Sequence, residues 1–239
     1  IVEGCGLGAY KYERWKNGNQ DDRKSPKLDK VQLCLPDGEK KTKAMEHSVA
    51  FAKKVFAATN WARDLVNEPA GTMSPTHLAD EALAMAEESG LDIEVLDRSK
   101  IDELKMGMFL GVARGSVEEP KLIHLAYVPA DKEAAARAPV CFVGKAITFD
   151  SGGLSLKPSD AMIDMKTDMA GSAAVLGAMK VISWLKPAFP VHAFMGACEN
   201  MPSGNAYRLG DVLTSRLGKT VEITNTDAEG RLVLGDVLS

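Results

Sequence analysis

The sequence predicts an α/β fold in which a mixed, largely parallel central sheet carries helices on both faces. Short, continuously apolar segments (Leu122 to Val128, Val140 to Gly144 and Val191 to Ala197) have the length and composition of strands buried on both sides. Between them lie segments whose apolar residues recur at helical spacing. Strands and helices alternating in this way build a sheet with a helical layer above and below it.

Taken in order, residues 1–43 are mixed and polar, and the charge-rich stretch from Asn17 to Lys30 reads as a surface loop. From Ala44 to Val66 apolar residues fall on one helical face (Phe51, Val55, Ala62, Leu65), and Asn67-Glu68-Pro69-Ala70-Gly71 ends that helix. Ser74 is an N-cap with proline behind it at the first helical position. Leu78, Ala82 and Met85 form a buried stripe, and Gly90 is the stop. Leu91, Ile93 and Val95 alternate as a strand, and Arg98 to Met106 is a short helix. A glycine-rich, charged segment runs from Lys145 to Asp168. Ser172 to Trp184 reads as a helix, and Lys219 to Thr224 as a further strand.

Bulk properties narrow the function classes. A chain of 239 residues suffices for one large domain, and 45% hydrophobic with 26% charged residues is ordinary for a water-soluble protein. The net charge of −4 gives neither nucleic acid nor an anionic membrane a general hold. No apolar run reaches the roughly 18 residues of a membrane span. The four cysteines (Cys5, Cys34, Cys141, Cys198) lack CxxC spacing. Cys141 and Cys198 sit in apolar runs and read as reduced core thiols, which favours a cytoplasmic location. Ile1 is not a methionine and Ser239 follows the apolar run Leu232 to Leu238, so both ends read as cut.

The chemistry lies in carboxylates. The four histidines (His47, His77, His124, His192) are too dispersed for HExxH or any paired ligand set, and His124 and His192 read as structural residues of strands. There is no GxSxG elbow and no Walker loop. Two polar clusters instead follow apolar strands, where open α/β sheets bind ligands. The first comprises Lys145, Asp150, Gly152-Gly153, Lys157, Lys166 and Asp168. The second is Asn225-Thr226-Asp227-Ala228-Glu229-Gly230-Arg231. Asp227, Glu229 and Arg231, spaced by two, would share one face of an extended segment. Paired carboxylates need a cation between them, supplied either by Arg231 or by a divalent metal. Lys145 and Asp150 lie in an apolar run where an isolated charge is costly, which favours the metal. Asp150, Asp168, Asp227 and Glu229 offer oxygens to magnesium, manganese or zinc, and an amine from Lys145 would tilt the choice towards zinc or manganese.

These segments resemble the leucyl aminopeptidase family. Asn225 to Leu232 reads NTDAEGRL, the family's signature in full. Gly144 to Leu154 is similar to its metal-binding lysine and aspartate segment, Met165 to Gly171 to the next one, and Asn200 to Arg208 to a loop near the active site. The likeness extends from about Ala58, through Ala62 to Pro69, to Ser239, and Gly4 to Tyr12 faintly resembles the end of the family's N-terminal domain. The resemblance implies that residues 1–43 are the tail of an N-terminal domain and linker. Residues 44–239 would be the N-terminal part of a catalytic domain that continues beyond Ser239.

It further implies two divalent ions per subunit, Zn2+ or Mn2+ with Mg2+ at the exchangeable position. Lys145, Asp150, Asp168 and Glu229 would hold the tight ion, and Asp150, Asp227 and Glu229 the exchangeable one. Lys157 corresponds to the lysine that stabilises the oxyanion, and Arg231 to the arginine holding a bicarbonate-like general base. Met165 and Asn225 would border the pocket for the first side chain. A metal-bound Lys145 would have a depressed pKa, and Lys157 would stay charged. Leu209 replaces a usual proline, and Gly235 a usual alanine or cysteine. Implied partners are peptides with a free N-terminus and further subunits of a homohexamer, with neither membrane nor nucleic acid. A two-metal hydrolase of another bond, or a non-catalytic DNA-binding or structural member, are the alternatives.

Overall fold

The computed structural model describes residues 1–15 and 30–239, so the loop expected over Asn17 to Lys30 falls almost wholly outside the described residues. Helix α1 (Val2–Gly8) packs on α2 (Lys43–Asn67), which starts where the Thr42 side chain accepts the Met45 N–H. Helix α3 (Pro75–Ser89) begins and ends as its punctuation predicts. Ser74 accepts the His77 N–H, and Gly90 closes the helix at φ 66°, a left-handed conformation that glycine adopts without a Cβ penalty.

The central sheet is mixed, with order β1-β2-β4-β3. Strand β1 (Asp92–Leu96) pairs antiparallel with β2 (Lys121–Tyr127), and β2 pairs antiparallel with β4 (Val191–Asn200). Among the described residues, parallel pairing is confined to β4 and β3 (Val140–Asp150). Between β1 and β2 come α4 (Arg98–Glu103) and α5 (Gly107–Ala113), and α6 (Lys132–Ala135) precedes β3. After β3 follow α7 (Ser159–Met162), a 3-10 turn (Met165–Met169) and α8 (Ala170–Leu185). A small hairpin of β5 (Val212–Thr214) and β6 (Thr220–Glu222) leads to α9 (Glu229–Val237).

Helices do cover both faces. On one, Leu78, Ala82 and Met85 of α3 and Leu176 of α8 bury Ile123, Leu125 and Met195 of the sheet. On the other, Phe109 and Val112 of α5 and Leu232 and Val233 of α9 bury Leu122, Ile147 and Cys198. Each fully buried Leu, Ile, Phe or Met side chain contributes about 1.5–3 kcal/mol. Gly144 lets α8 close on the sheet: a Cβ there would stand 2.7 Å from the Ser172 Cα.

Four sequence expectations change. The helix expected over Arg98 to Met106 stops at Glu103, and Lys105 at φ 59° separates it from the unforeseen α5. Strand β3 runs on through Lys145 to Asp150, because its charged residues emerge at the sheet's end instead of breaking it. The strand expected over Lys219 to Thr224 is the short β6 of a separate hairpin. Cys198 is buried as expected, but Cys141 is exposed, because among the described residues β3 lies at the edge of the sheet beside β4.

Candidate metal centre

Strands β3 and β4 run side by side and end together at Asp150 and Asn200. The turn that opens α9 meets them there, so Asp227 and Glu229 arrive from one direction while Asp168 arrives from the 3-10 turn. Carboxylate oxygens of Asp150, Asp227 and Glu229 lie within 4.8 Å of one another. Two lysines hold the four acids together. Lys145 Nζ lies 2.8 Å from Glu229 Oε1 and 2.8 and 2.7 Å from the two Asp168 oxygens. Lys157 Nζ lies 3.0 Å from Asp150 Oδ2 and pairs with Asp227 Oδ1.

Expectation and structure part at Arg231. Asp227 sits in a turn, and Glu229 and Arg231 are the first and third residues of α9, where residues two apart do not face each other. Arg231 is exposed, and the cations between the acids are Lys145 and Lys157. The helix forms because Leu232, Val233 and Asp236 continue at helical spacing towards buried positions.

Burial disfavours the Lys145 ammonium, but Asp168 and Glu229 outweigh it and raise its pKa. The depressed value expected above belongs to a metal-bound amine, and the surroundings that the chain itself provides push the other way. Lys157 is likewise raised, burial being overcome by Asp227 and Asp150. Burial also pushes Asp168 and Glu229 upward in spite of Lys145. One lysine shared by the buried Glu229 and the half-buried Asp168 returns less than their desolvation takes.

The scaffold explains how the acids are presented. Gly152 and Gly153, at φ 85° and 64°, turn the chain sharply after Asp150, and a Cβ on Gly152 would stand 3.0 Å from Asp227 Oδ1. Asn200 is fully buried. Its Nδ2 donates to Asp150 Oδ1 at 2.8 Å and to the Thr226 carbonyl at 2.9 Å. Tyr207 OH donates to that same carbonyl at 2.6 Å, and Thr226 Oγ1 donates to the Gly152 carbonyl at 2.7 Å. Asn225 Oδ1 accepts the Asp227 N–H at 2.8 Å, tightening the turn, and Met165 is half-buried in the 3-10 turn beside Asp168. Sequence reading assigned no role to Asn200, Thr226 or Tyr207. Their signal is membership of segments that resemble the family, Asn200 to Arg208 and Asn225 to Leu232, with no task attached to the individual residue. The two departures are mild: Leu209 is exposed, and a Cβ on Gly235 would meet only the flexible end of Met108.

The residues fit a divalent ion. Glu229 Oε2 is buried with no hydrogen-bond partner among the described residues, and the donor set is oxygen-rich with one amine. An α/β sheet that gathers such donors at its strand ends defines a candidate carboxylate metal centre. Residues 60–239 match the family described as "Cytosol aminopeptidase family, catalytic domain", and the chain belongs to that family. A probable cytosol aminopeptidase of Solibacter usitatus is 49% identical over the whole chain and 47% of its own length. One from Aquifex aeolicus is 44% identical over the whole chain and 46% of its own length. Among solved structures, the bottromycin maturation enzyme BotP in complex with Mn is 40% identical at a TM-score of 0.86, covering 99% of this chain and 47% of that one. The chain thus spans about half the length of the relatives it matches. Among the described residues, no helix is long and apolar enough to cross a membrane.

Proposed function

We propose that the protein is a metal-dependent aminopeptidase that removes leucine-like residues from the N-termini of peptides. The observation that carries this reading is the convergence of Asp150, Asp168, Asp227 and Glu229 on two lysines at the ends of β3 and β4, in a chain of this family. Residues 1–43 are assigned to the end of an N-terminal domain and its linker, and 44–239 to the first part of the catalytic domain.

Lys145, Asp150, Asp168 and Glu229 would hold one divalent ion, and Asp150, Asp227 and Glu229 a second, with the Asp227 carbonyl contributing. When bound, two such ions, zinc or manganese with magnesium at the exchangeable position, supply Lewis acidity and a water of lowered pKa. The manganese of the BotP complex supports that choice. The remaining work falls to the chain. Lys157 donates from Nζ to the oxygen on which charge develops. Arg231 presents a planar guanidinium suited to a bicarbonate-like anion that accepts a proton. Met165 and Asn225 border the pocket for the first side chain. Peptides with a free N-terminus are the proposed substrates, the cytoplasm the compartment and a homohexamer the assembly.

The test is turnover of leucyl-p-nitroanilide by the intact protein with zinc, manganese or magnesium, beside Asp227→Ala and Lys157→Ala. Activity should require metal. Lys157→Ala should lose about 10²–10³-fold in kcat while keeping its metal, as removal of an oxyanion donor does. Asp227→Ala should weaken the exchangeable ion. Metal-independent turnover would overturn the proposal.

A further inference from the structure

Two conspicuous sequence features have no task in the chemistry above: Lys166, and the Asn67-Glu68 segment that ends the long helix α2. The structure joins them. Lys166 Nζ donates to the Asn67 backbone carbonyl at 2.7 Å. The last carbonyls of a helix have no partner within it and carry the negative end of its dipole. The last turn of α2 contains no basic residue, and Lys166 supplies that cation from another element.

The receiving end is held firmly. Glu68 is 3% exposed, and its carboxylate accepts Trp15 Nε1 at 3.0 Å and pairs with Arg14. Asn67 Nδ2 donates to the Tyr10 hydroxyl at 3.0 Å and to the Arg63 carbonyl at 2.9 Å, and the Tyr10 hydroxyl donates to Asp64 Oδ1 at 2.8 Å. At the other end, Lys166 belongs to the 3-10 turn Met165–Met169, two residues before Asp168. Asp168 in turn meets Lys145 Nζ through both oxygens.

We propose that Lys166 is a positioning residue of the metal centre: its bond to the Asn67 carbonyl fixes the 3-10 turn so that Asp168 is presented to the site. This rests on the reading of Asp168 as a metal ligand. A short 3-10 turn has weak hydrogen-bond geometry of its own and needs an external tether to hold a side chain within a few tenths of an ångström. The anchor point is the α2 terminus, clasped from outside by residues 10–15. The placement of Asp168 thereby depends on a segment that contributes no ligand.

The experiment measures Mn2+ affinity by competition with a chelating dye in the intact protein, for Lys166→Met, Lys166→Arg and Asp168→Asn. Amide hydrogen exchange and thermal melting are recorded alongside. Lys166→Met should bind Mn2+ about tenfold more weakly, within the range for residues that orient ligands, and exchange should rise across 165–169 but not in α3. Lys166→Arg, which keeps a donor at that reach, should restore affinity to within about threefold. Wild-type affinity in Lys166→Met, with Asp168→Asn weakened, would sink the tether and leave the metal reading intact. Unchanged affinity in Asp168→Asn would sink the metal reading, and the proposal with it. Loss of affinity in Lys166→Met with unchanged exchange at 165–169 would also refute the tether.

Discussion

Gly230→Ala separates the demands of the fold from those of the site. Gly230 is the second residue of α9, and a methyl group there would stand 2.5 Å from Lys145 Cε, 2.9 Å from Nζ and 3.0 Å from Cδ. Carbon atoms in contact rest at about 3.5–4.0 Å, so the end of the Lys145 side chain must retreat by about 1 Å. Its contacts of 2.7–2.8 Å with Asp168 and Glu229 would then open towards 3.5 Å, the outer limit of a hydrogen bond. Backbone stability should hardly suffer. The neighbour is the far end of a flexible chain, and alanine is favoured over glycine in helices by up to about 1 kcal/mol. The expected result is a melting free energy within about 1 kcal/mol of wild type in chelator. Mn2+ affinity should be at least tenfold weaker, and turnover of leucyl-p-nitroanilide about 10²-fold lower, the usual consequence of a 1 Å misplacement. Dye competition, kinetics and thermal unfolding read the three quantities separately. Wild-type metal affinity and turnover in Gly230→Ala would refute the assignment of Lys145 to the centre.

Three further outcomes are expected. Gly144→Ala meets backbone, with Ser172 Cα at 2.7 Å and the Gly171 carbonyl at 3.0 Å, so denaturant titration should show a loss of about 3 kcal/mol; a loss below 1 kcal/mol would contradict the close α8 contact. Asp236 is fully buried and accepts the N–H groups of Met108 and Phe109, each at 2.9 Å, and of Arg216 at 2.8 Å. Asp236→Ala should therefore cost about 3–5 kcal/mol by urea unfolding, and a near-neutral result would show that those donors find other partners. Burial, aided by the neighbouring His192, holds the His124 pKa below its ordinary 6.5, so the unfolded chain takes up that proton before the folded one. Stability should be full above about pH 6.5 and decline as the pH falls below it, and His124→Phe should remove part of the decline measured between pH 7.5 and 5.5.

The fold is legible in the sequence where a boundary is marked by the residue that makes it. Ser74, Pro75 and Gly90 carry the ends of α3 in their own chemistry, and the structure uses each as expected. Legibility fails where a charged residue serves a distant partner. Lys145 looks like the start of a loop because its reason for lying in a strand is Glu229, far along the chain. Asp236 carries no mark in the sequence of its task, and only the approach of α5 shows that it caps another element. Helix α5 itself is apolar on all sides and has no stripe to detect. The carboxylates of the site were legible as residues. For a cation between them the two-residue spacing offers Arg231 or a divalent metal; the helix start at Glu229 turns Arg231 away, and Lys145 and Lys157 stand between the acids.

Four carboxylates in one place are an electrostatic difficulty before they are a function, and the lysines divide that difficulty unequally. Lys145 is shared by Asp168 and Glu229, and Lys157 by Asp150 and Asp227. The clustered donor set is Asp150, Asp227 and Glu229. Both partners of Lys157 belong to that set, but only one partner of Lys145 does. On the proposed reading, an ion held by those carboxylates would draw both acids away from Lys157, whereas Lys145 would join Asp168 and Glu229 as a ligand. Two lysines on one connected stretch of chain would thus differ in fate through their partners alone. Lys145 would belong to the centre, and Lys157 would be left as a charged donor at its rim, where a substrate carbonyl would need one.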